Sequence, residues 1–383
     1  MTDMKHYRRI ALFVLSAALL LSFTGCADMR DINERAYVIG IGADPVKDGG
    51  WQFTFCCYLP RLPGASATGE KMTTDVICCE AASMAEAVRR LDQSTSRETV
   101  LEQLACIAIG SHPDCEELGR LLDYPLREPQ VRRQAVVVAS GCSARELMSA
   151  EPGEGSAPAA IASLLAQQGG SGRRAQSDAL YRVGQLLADG CDIMLQRVGL
   201  AEDGGATSGS DSTRRLVLDG AEVWSGGEYR GSLSEAQAET AGLITGGTAA
   251  YVMTVTGADG EKKLYEIRPT SHIVMFDVEN GEAVFRISLE AEYVAADLGT
   301  GTGASREEIS EALLLELESL AELCRERLGS APLELETAAR QQRSRWYARS
   351  RASWPELFAS CTVRLHVDCT PAAGQSVDIR AVT

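Results

Sequence analysis

The chain of 383 residues carries twelve cysteines and four histidines, the side chains whose chemistry has to be placed first. Beyond the leading segment only His112, His272 and His366 remain, far apart in sequence, and a structural or surface role is the expectation for each. No His-Glu-x-x-His pair, Gly-x-Ser-x-Gly elbow or Walker-type glycine loop occurs, so zinc-peptidase, serine-hydrolase and P-loop chemistry have no foothold. Gly40-Ile41-Gly42 follows an apolar run but leads into Ala43-Asp44-Pro45 instead of a helix start, and so fails as a dinucleotide fingerprint. Gly299 to Gly303 is loop punctuation, and Glu307 with Glu311 reads as the solvated side of a helix. No Cys-x2-Cys occurs to support a structural zinc. No catalytic residue, cofactor or metal is expected, and the chain does not read as an enzyme.

Cys26 stands apart. Lys5, Arg8 and Arg9 form a positive start, and residues 10–21 are a charge-free apolar run. A dozen residues falls short of the roughly 20 that a membrane-spanning helix needs, but suits the apolar part of a signal peptide. Ser22-Phe23-Thr24-Gly25-Cys26 follows, with a small residue directly before the thiol, close to the lipobox pattern of bacterial lipoproteins. Phe23 departs from that pattern, where Leu is usual. Residues 1–25 are therefore expected to be a signal peptide, and Cys26 the site of a diacylglyceryl group. With two acyl chains or three, anchoring should be stable, placing Ala27 to Thr383 outside the cytoplasmic membrane. Eleven cysteines remain, at least one unpaired within the chain. Most are expected to be small buried apolar residues, with a cross-strand bridge between the doublets Cys56-Cys57 and Cys78-Cys79 left open.

Charge narrows the partners. Removing Lys5, Arg8, Arg9 and Asp3 with the leader takes the net charge from −16 to −18. So acidic a chain does not favour phosphate backbones, and nucleic acid is excluded as a partner.

The elements that must position these residues read as α+β, two to three mixed domains in series, each a sheet with packed helices. Residues 37–42, 51–59 and 75–79 read as strands, with Trp51, Phe53, Phe55 and Cys57 sharing one face. Ser83 to Leu91 is an amphipathic helix with Met84, Ala87, Val88 and Leu91 on its stripe. The apolar runs 104–110 and 135–139 suit strands covered on both faces, with a helix from Cys115 to Leu122 between them. Ile161 to Leu165 and Leu180 to Leu187 read as helices. Residues 201–213 (AEDGGATSGSDST) look like a linker, so the division expected is 26–200, then 214–383, the latter open to a split into 214–262 and 263–383. Beyond it come a hairpin at 215–230, a helix capped by Ser234, a strand at 249–256, and long alternating strands at 264–278 and 283–295 joined through Asn280-Gly281. Ser305 caps a helix with Ile309, Leu313, Leu317, Leu320 and Leu323 at core spacing. Residues 335–351 read as helical, and 362–368 as a last strand.

Four segments, in order, resemble the Ger(x)C family of spore-germination lipoproteins, the C subunits of nutrient germinant receptors. The first is Gly25-Cys26-Ala27-Asp28-Met29-Arg30-Asp31-Ile32-Asn33-Glu34 followed by Ile39-Gly40-Ile41-Gly42-Ala43-Asp44. The second comprises Leu104 to Gly110, Leu121-Leu122-Asp123-Tyr124, Arg127-Glu128-Pro129, Arg132 and Val136 to Ala139. The third is Glu222 to Tyr229 with Gly231-Ser232-Leu233-Ser234-Glu235, and the fourth Trp346 with Trp354-Pro355-Glu356-Leu357-Phe358. Ala27 and Met29 depart from the family's usual Trp and Arg. Its Asp-x-x-Gly-x-Gly segment is replaced by Leu333 to Ala339, and its Lys-rich surface is absent. The resemblance implies a three-domain lipoprotein on the outer face of the spore inner membrane, assembling with a membrane A subunit and a permease-like B subunit. Of the family's functional residues only Cys26 carries over. Arg30, Asp31 and Glu34 read as a solvated tether in preference to a partner contact. The alternatives are an extracytoplasmic solute-binding lipoprotein, which should show two similar lobes around an aromatic cleft, and an envelope hydrolase.

Overall fold

A computed structural model describes residues 34–47, 49–59, 74–151, 155–168, 178–190, 192–202, 214–257, 260–296 and 303–372, together with Phe13, Leu15 and Ser16. Two sheets organise them. The first holds β1 (Arg35–Pro45), β2 (Trp51–Tyr58), β3 (Thr74–Ala81), β4 (Glu98–Val100), β5 (Cys106–Ile109), β6 (Val136–Ser140), β7 (Ile193–Glu202), β8 (Arg214–Ser225) and β9 (Glu228–Leu233). Their order is β3-β2-β1-β5-β6-β7-β8-β9, with β4 pairing beside β1. The centre is parallel, from β1 through β5 and β6 to β7, and the flanks are antiparallel.

That arrangement explains the apolar runs. All four residues of β5 are buried, as are Val136 to Ala139 of β6, because helices cover both faces. On one face α1 (Met84–Ser94), α2 (Cys115–Arg127) and α5 (Leu180–Asp189) enclose a core with Phe53, Phe55, Ile107 and Val137. On the other, α3 (Ala144–Met148) and α4 (Ala157–Gln168) cover Cys106, Ala108, Val136 and Val138. Helix α1 buries Met84, Ala87, Val88 and Leu91, the stripe expected from its periodicity.

The second sheet, β10 (Tyr251–Thr256), β11 (Lys262–Glu279), β12 (Glu282–Ala295) and β13 (Thr362–Pro371), runs in that order. Asn280 and Gly281 turn β11 into β12 with φ of 54° and 89°, the left-handed pair that a two-residue hairpin requires. Helices α6 (Glu235–Thr245) and α7 (Arg306–Leu323) pack on one face. Ile309, Leu313, Leu317 and Leu320 of α7 are buried as expected, whereas Leu323 is only partly so. Three shorter helices, α8 (Leu335–Gln342), α9 (Ser344–Ser350) and α10 (Trp354–Ala359), carry the chain back to β13.

The architecture is the α+β class expected: two sheets with packed helices. The sheets do not divide where the linker was expected. β7 and β8 are antiparallel neighbours, so residues 203–213, outside the described set, join two strands of one sheet. That sheet runs on to Leu233, and the second begins at Tyr251. A further split at 262/263 would cut through β11, which pairs with β10 along Lys262 to Ile267. A polar Gly/Ser run satisfies a hairpin loop as well as an interdomain linker. Strand β8 serves both cores, giving Trp224 to the first and Ala221 and Val223 to the second.

The cysteine doublets do not meet. Cys78 lies opposite Thr54 and Cys79 opposite Phe53, while Cys56 and Cys57 face Val76 and Asp75. All four are free thiols. Burial raises the pKa of Cys56 to about 11 and that of Cys57 to about 12, leaving both inert at neutral pH. Cys106, Cys324, Cys361 and Cys369 are also free and buried, as small apolar residues would be. Cys115 is disulfide-bonded, and its partner lies outside the described residues.

Candidate functional site

Cys26 itself, with Arg30 and Asp31, lies outside the described residues. Glu34 is exposed, and β1 starts at Arg35. Arg35 is nine residue steps from Cys26, so an extended tether spans at most about 30 Å. The described chain enters the first sheet at the N-terminal end of β1.

At the opposite end of β1 the Gly-Ile-Gly-Ala-Asp run has a structural task. Asp44 accepts hydrogen bonds from the backbone N–H groups of Ala144 (2.8 Å) and Arg145 (2.9 Å), and Ser143 Oγ accepts from Glu146 N at 3.1 Å. The first three donors of α3 are thereby satisfied, and the carboxylate sits at the positive end of the helix. Close approach demands the glycines. A Cβ on Gly40 would stand 2.2 Å from Pro158 Cγ, and one on Gly42 2.9 Å from the Ala144 carbonyl oxygen. Asp44→Ala should lower stability by about 1–2 kcal/mol in thermal or urea unfolding, with Asp44→Asn clearly milder. Equal losses in the two would refute the capping role.

A second cluster gathers at β7, β8 and β9. The Glu222 side chain is only 4% exposed, and Arg197 meets it at 2.7 Å while also binding Asp219 at 3.0 Å. Tyr229 donates to the second oxygen of Glu222 at 2.6 Å and stacks on His112 at 4.1 Å. Burial first, then that hydrogen bond to a carboxylate, raises the Tyr229 pKa to about 12. Ser232 also hydrogen-bonds the Tyr229 side chain, and the group ties these strands to the segment before α2. Trp224 completes the tie by donating from Nε1 to the Pro113 carbonyl at 2.7 Å. His366 is exposed on β13, and His272 lies on β11.

A third cluster joins the sheets. Trp354 Nε1 donates to Ser330 Oγ at 2.9 Å, and Ser330 donates to Asp192 Oδ2 at 2.7 Å. Arg351 donates to the Asp189 carbonyl at 2.6 Å, and Arg340 pairs with the Asp189 carboxylate. Ser225 is a second hydroxyl partner of the Asp192 carboxyl, whose Oδ1 is sealed from solvent in a residue half-buried as a whole. Desolvation, then the nearby Glu336 carboxylate, raises the Asp192 pKa to about 7. Among the described residues, no group of three or more His, Cys, Asp or Glu is placed to hold a metal ion.

Of the segments singled out in the sequence, Gly40 to Asp44 caps α3, Arg127-Glu128 ends α2, and Glu222 to Tyr229 belongs to the second cluster. Trp346 packs on Phe276 at 5.1 Å, and Trp354 meets Phe285 and Tyr347 edge-on. Arg197, Asp192 and Ser330 carried no sequence signal. Their partners lie 22 or more positions away, which no local pattern records.

A sequence profile described as the spore germination protein N-terminal domain matches residues 28–199. Spore germination protein B3 of Bacillus subtilis is 21% identical over 360 residues, spanning 89% of this chain and 91% of its own. Residues 28–199 are a spore germination protein N-terminal domain. The putative spore germination protein YfkR of the same organism is 25% identical over 145 residues, 36% of this chain and 37% of that one. The crystal structure of the GerBC protein shares the fold, with a TM-score of 0.53 at 16% identity over 87% of this chain and 96% of that one. The Ger(x)C resemblance in the four segments thus holds for the chain. The family is that of a germinant receptor subunit and is not known for enzymes. Among the described residues no helix is long and apolar enough to cross a membrane.

Proposed function

We propose that this protein is the lipid-anchored C subunit of a spore nutrient germinant receptor. On this reading Cys26 carries a diacylglyceryl group on the outer face of the spore inner membrane, and the folded part docks on membrane A and permease-like B subunits. The observation that carries it is the position of the family match, which starts at residue 28, two residues after Cys26. The thiol therefore stands immediately before the family's own domain, behind a leader built like a signal peptide. Lipidation would act through effective concentration, confining the docking surfaces to the membrane face where the partners lie. A two-lobed solute binder is disfavoured, because a nine-stranded mixed sheet and a four-stranded sheet are not similar lobes.

Cys26→Ala should move the protein from the membrane fraction to the soluble fraction and blunt nutrient-triggered germination. Membrane retention of the variant would remove the anchor from Cys26. Normal germination with a released protein would remove anchoring from the mechanism.

A further inference from the structure

Open sheets with parallel strands usually bind ligands beyond the carboxyl ends of the strands. Here that crevice is filled by protein. Asp44 occupies it with two hydrogen bonds to α3, and a Cβ on Gly110 would collide with the Asp44 carboxylate at 1.9 Å. The open concavity lies at the other ends of the same strands. There a groove of about 750 Å³ forms where β1 begins and where the chain enters β5 and β6, a size suited to a small molecule.

Its floor is apolar, made by Ile39, Leu104, Ala135 and Ala162. Tyr37, Tyr58, Gln134 and Arg132 also line it, residues that bring two hydroxyls, an amide and a guanidinium. None of these four side chains bonds or pairs with another described residue. No carboxylate is among the described residues that line the groove, although acids outnumber bases by 53 to 37 in the chain. In so acidic a protein, an apolar trough whose cation and donors have no partner among the described residues is a selective environment. It accepts an apolar body and favours a negative head.

We propose that this groove is a binding site for a small amphiphilic anion. The apolar body lies along Ile39, Leu104, Ala135 and Ala162, and the head is held by Arg132 with hydrogen bonds from the tyrosine hydroxyls. A membrane phospholipid and a soluble alkyl carboxylate or phosphate share this chemistry. Tyr37 is eleven residues from Cys26, which keeps the groove within reach of a bilayer if the anchor is as proposed. The site itself stands on the groove and does not depend on lipidation, so the two readings fail separately.

Full-length protein in phosphatidylcholine nanodiscs, with empty discs subtracted, is titrated calorimetrically with octyl phosphate, octanoate, octanol and inorganic phosphate. Saturable binding of the first two is expected, with no binding of inorganic phosphate. Octanol should bind about tenfold more weakly than octanoate, and Arg132→Gln should weaken octanoate by a similar factor. Ala162→Trp should abolish binding by filling the trough. Arg132 is exposed, so its variant keeps the test valid even if Ala162→Trp disturbs folding. Discs containing a phosphatidylglycerol with a photoreactive acyl chain distinguish the sources. A crosslink at Tyr37 or Leu104 that octanoate competes away assigns membrane lipid, and saturable octanoate binding without a crosslink assigns a soluble ligand. Absence of saturable binding by both alkyl anions, or binding unchanged in Arg132→Gln, overturns the site.

Discussion

Trp224→Ala should lower the stability of the protein by about 3–5 kcal/mol, the largest loss expected from any single truncation. Trp224 is fully buried at the end of β8 and lies edge-on to Tyr229 at 5.4 Å. Its indole N–H satisfies the Pro113 carbonyl in a buried hydrogen bond. Truncation therefore opens a cavity and strands an acceptor, two costs that add. Trp224→Phe separates them, since it keeps most of the volume and loses only the donor, for an expected loss of about 1–3 kcal/mol. Because β8 contributes to both hydrophobic cores, urea unfolding followed by circular dichroism and by tryptophan fluorescence should move together. A variant in which one probe shifts and the other does not would show that the two sheets unfold separately.

Much of this architecture is visible in local pattern. The stripe of α1, the all-apolar strands β5 and β6, and the Asn280-Gly281 hairpin each follow from periodicity or turn chemistry, because burial on one face or on both leaves a local record. Strand β7 leaves no such record. Gln196 is 4% exposed and donates to the Gly220 carbonyl at 2.6 Å, while Arg197 is held by Asp219 and Glu222. Polar residues buried by partners 22 to 25 positions away break the alternation that marks a strand. Missing β7 leaves 201–213 looking like the end of a domain, when it joins neighbouring strands of one sheet.

The candidate sites divide along the same line. Cys26 is legible because its signal is contiguous, a leader followed by a small residue and a thiol. The role of Asp44 is not, since its two donors are 100 and 101 residues away. The groove at the start of β1 is assembled from β1, β2, α4 and the approaches to β5 and β6, and no one of these segments hints at it. Sequence records what a residue is, and the fold decides which residues line a groove together.

Asp192→Asn should remove much of the dependence of stability on pH between about pH 4 and pH 7. Asp192 is a raised acid, from an ordinary value near 3.8 to about 7, chiefly because burial disfavours its charge and then because Glu336 and Glu334 repel it. Between those two values the folded state holds a proton that the unfolded chain has released. Stability contributed by that proton is fully present at low pH and is lost as pH rises toward and through 7. The groups around it fix the window. Asp189, Glu334 and Glu336 are acidic, Arg340 and Arg351 bind Asp189, and Ser330 donates to Asp192 itself. Three units of displacement correspond to up to about 4 kcal/mol between the ends of the window. Asparagine keeps the shape and the acceptor for Ser330 while carrying no charge at any pH. The variant should match the parent only below about pH 4 and exceed it by several degrees in Tm at pH 7 and above, because about 1 kcal/mol shifts Tm by a few degrees in a chain of this size. Since Ser330 and Trp354 belong to the second sheet's half and Asp192 leads into β7, the same titration loosens the contact between the halves. Amide exchange at Ile193 and Leu333 should accordingly quicken with pH in the parent, beyond the intrinsic base catalysis, and not in Asp192→Asn. Parallel stability curves for the two proteins would mean that Asp192 is ionised throughout and that the junction does not sense pH.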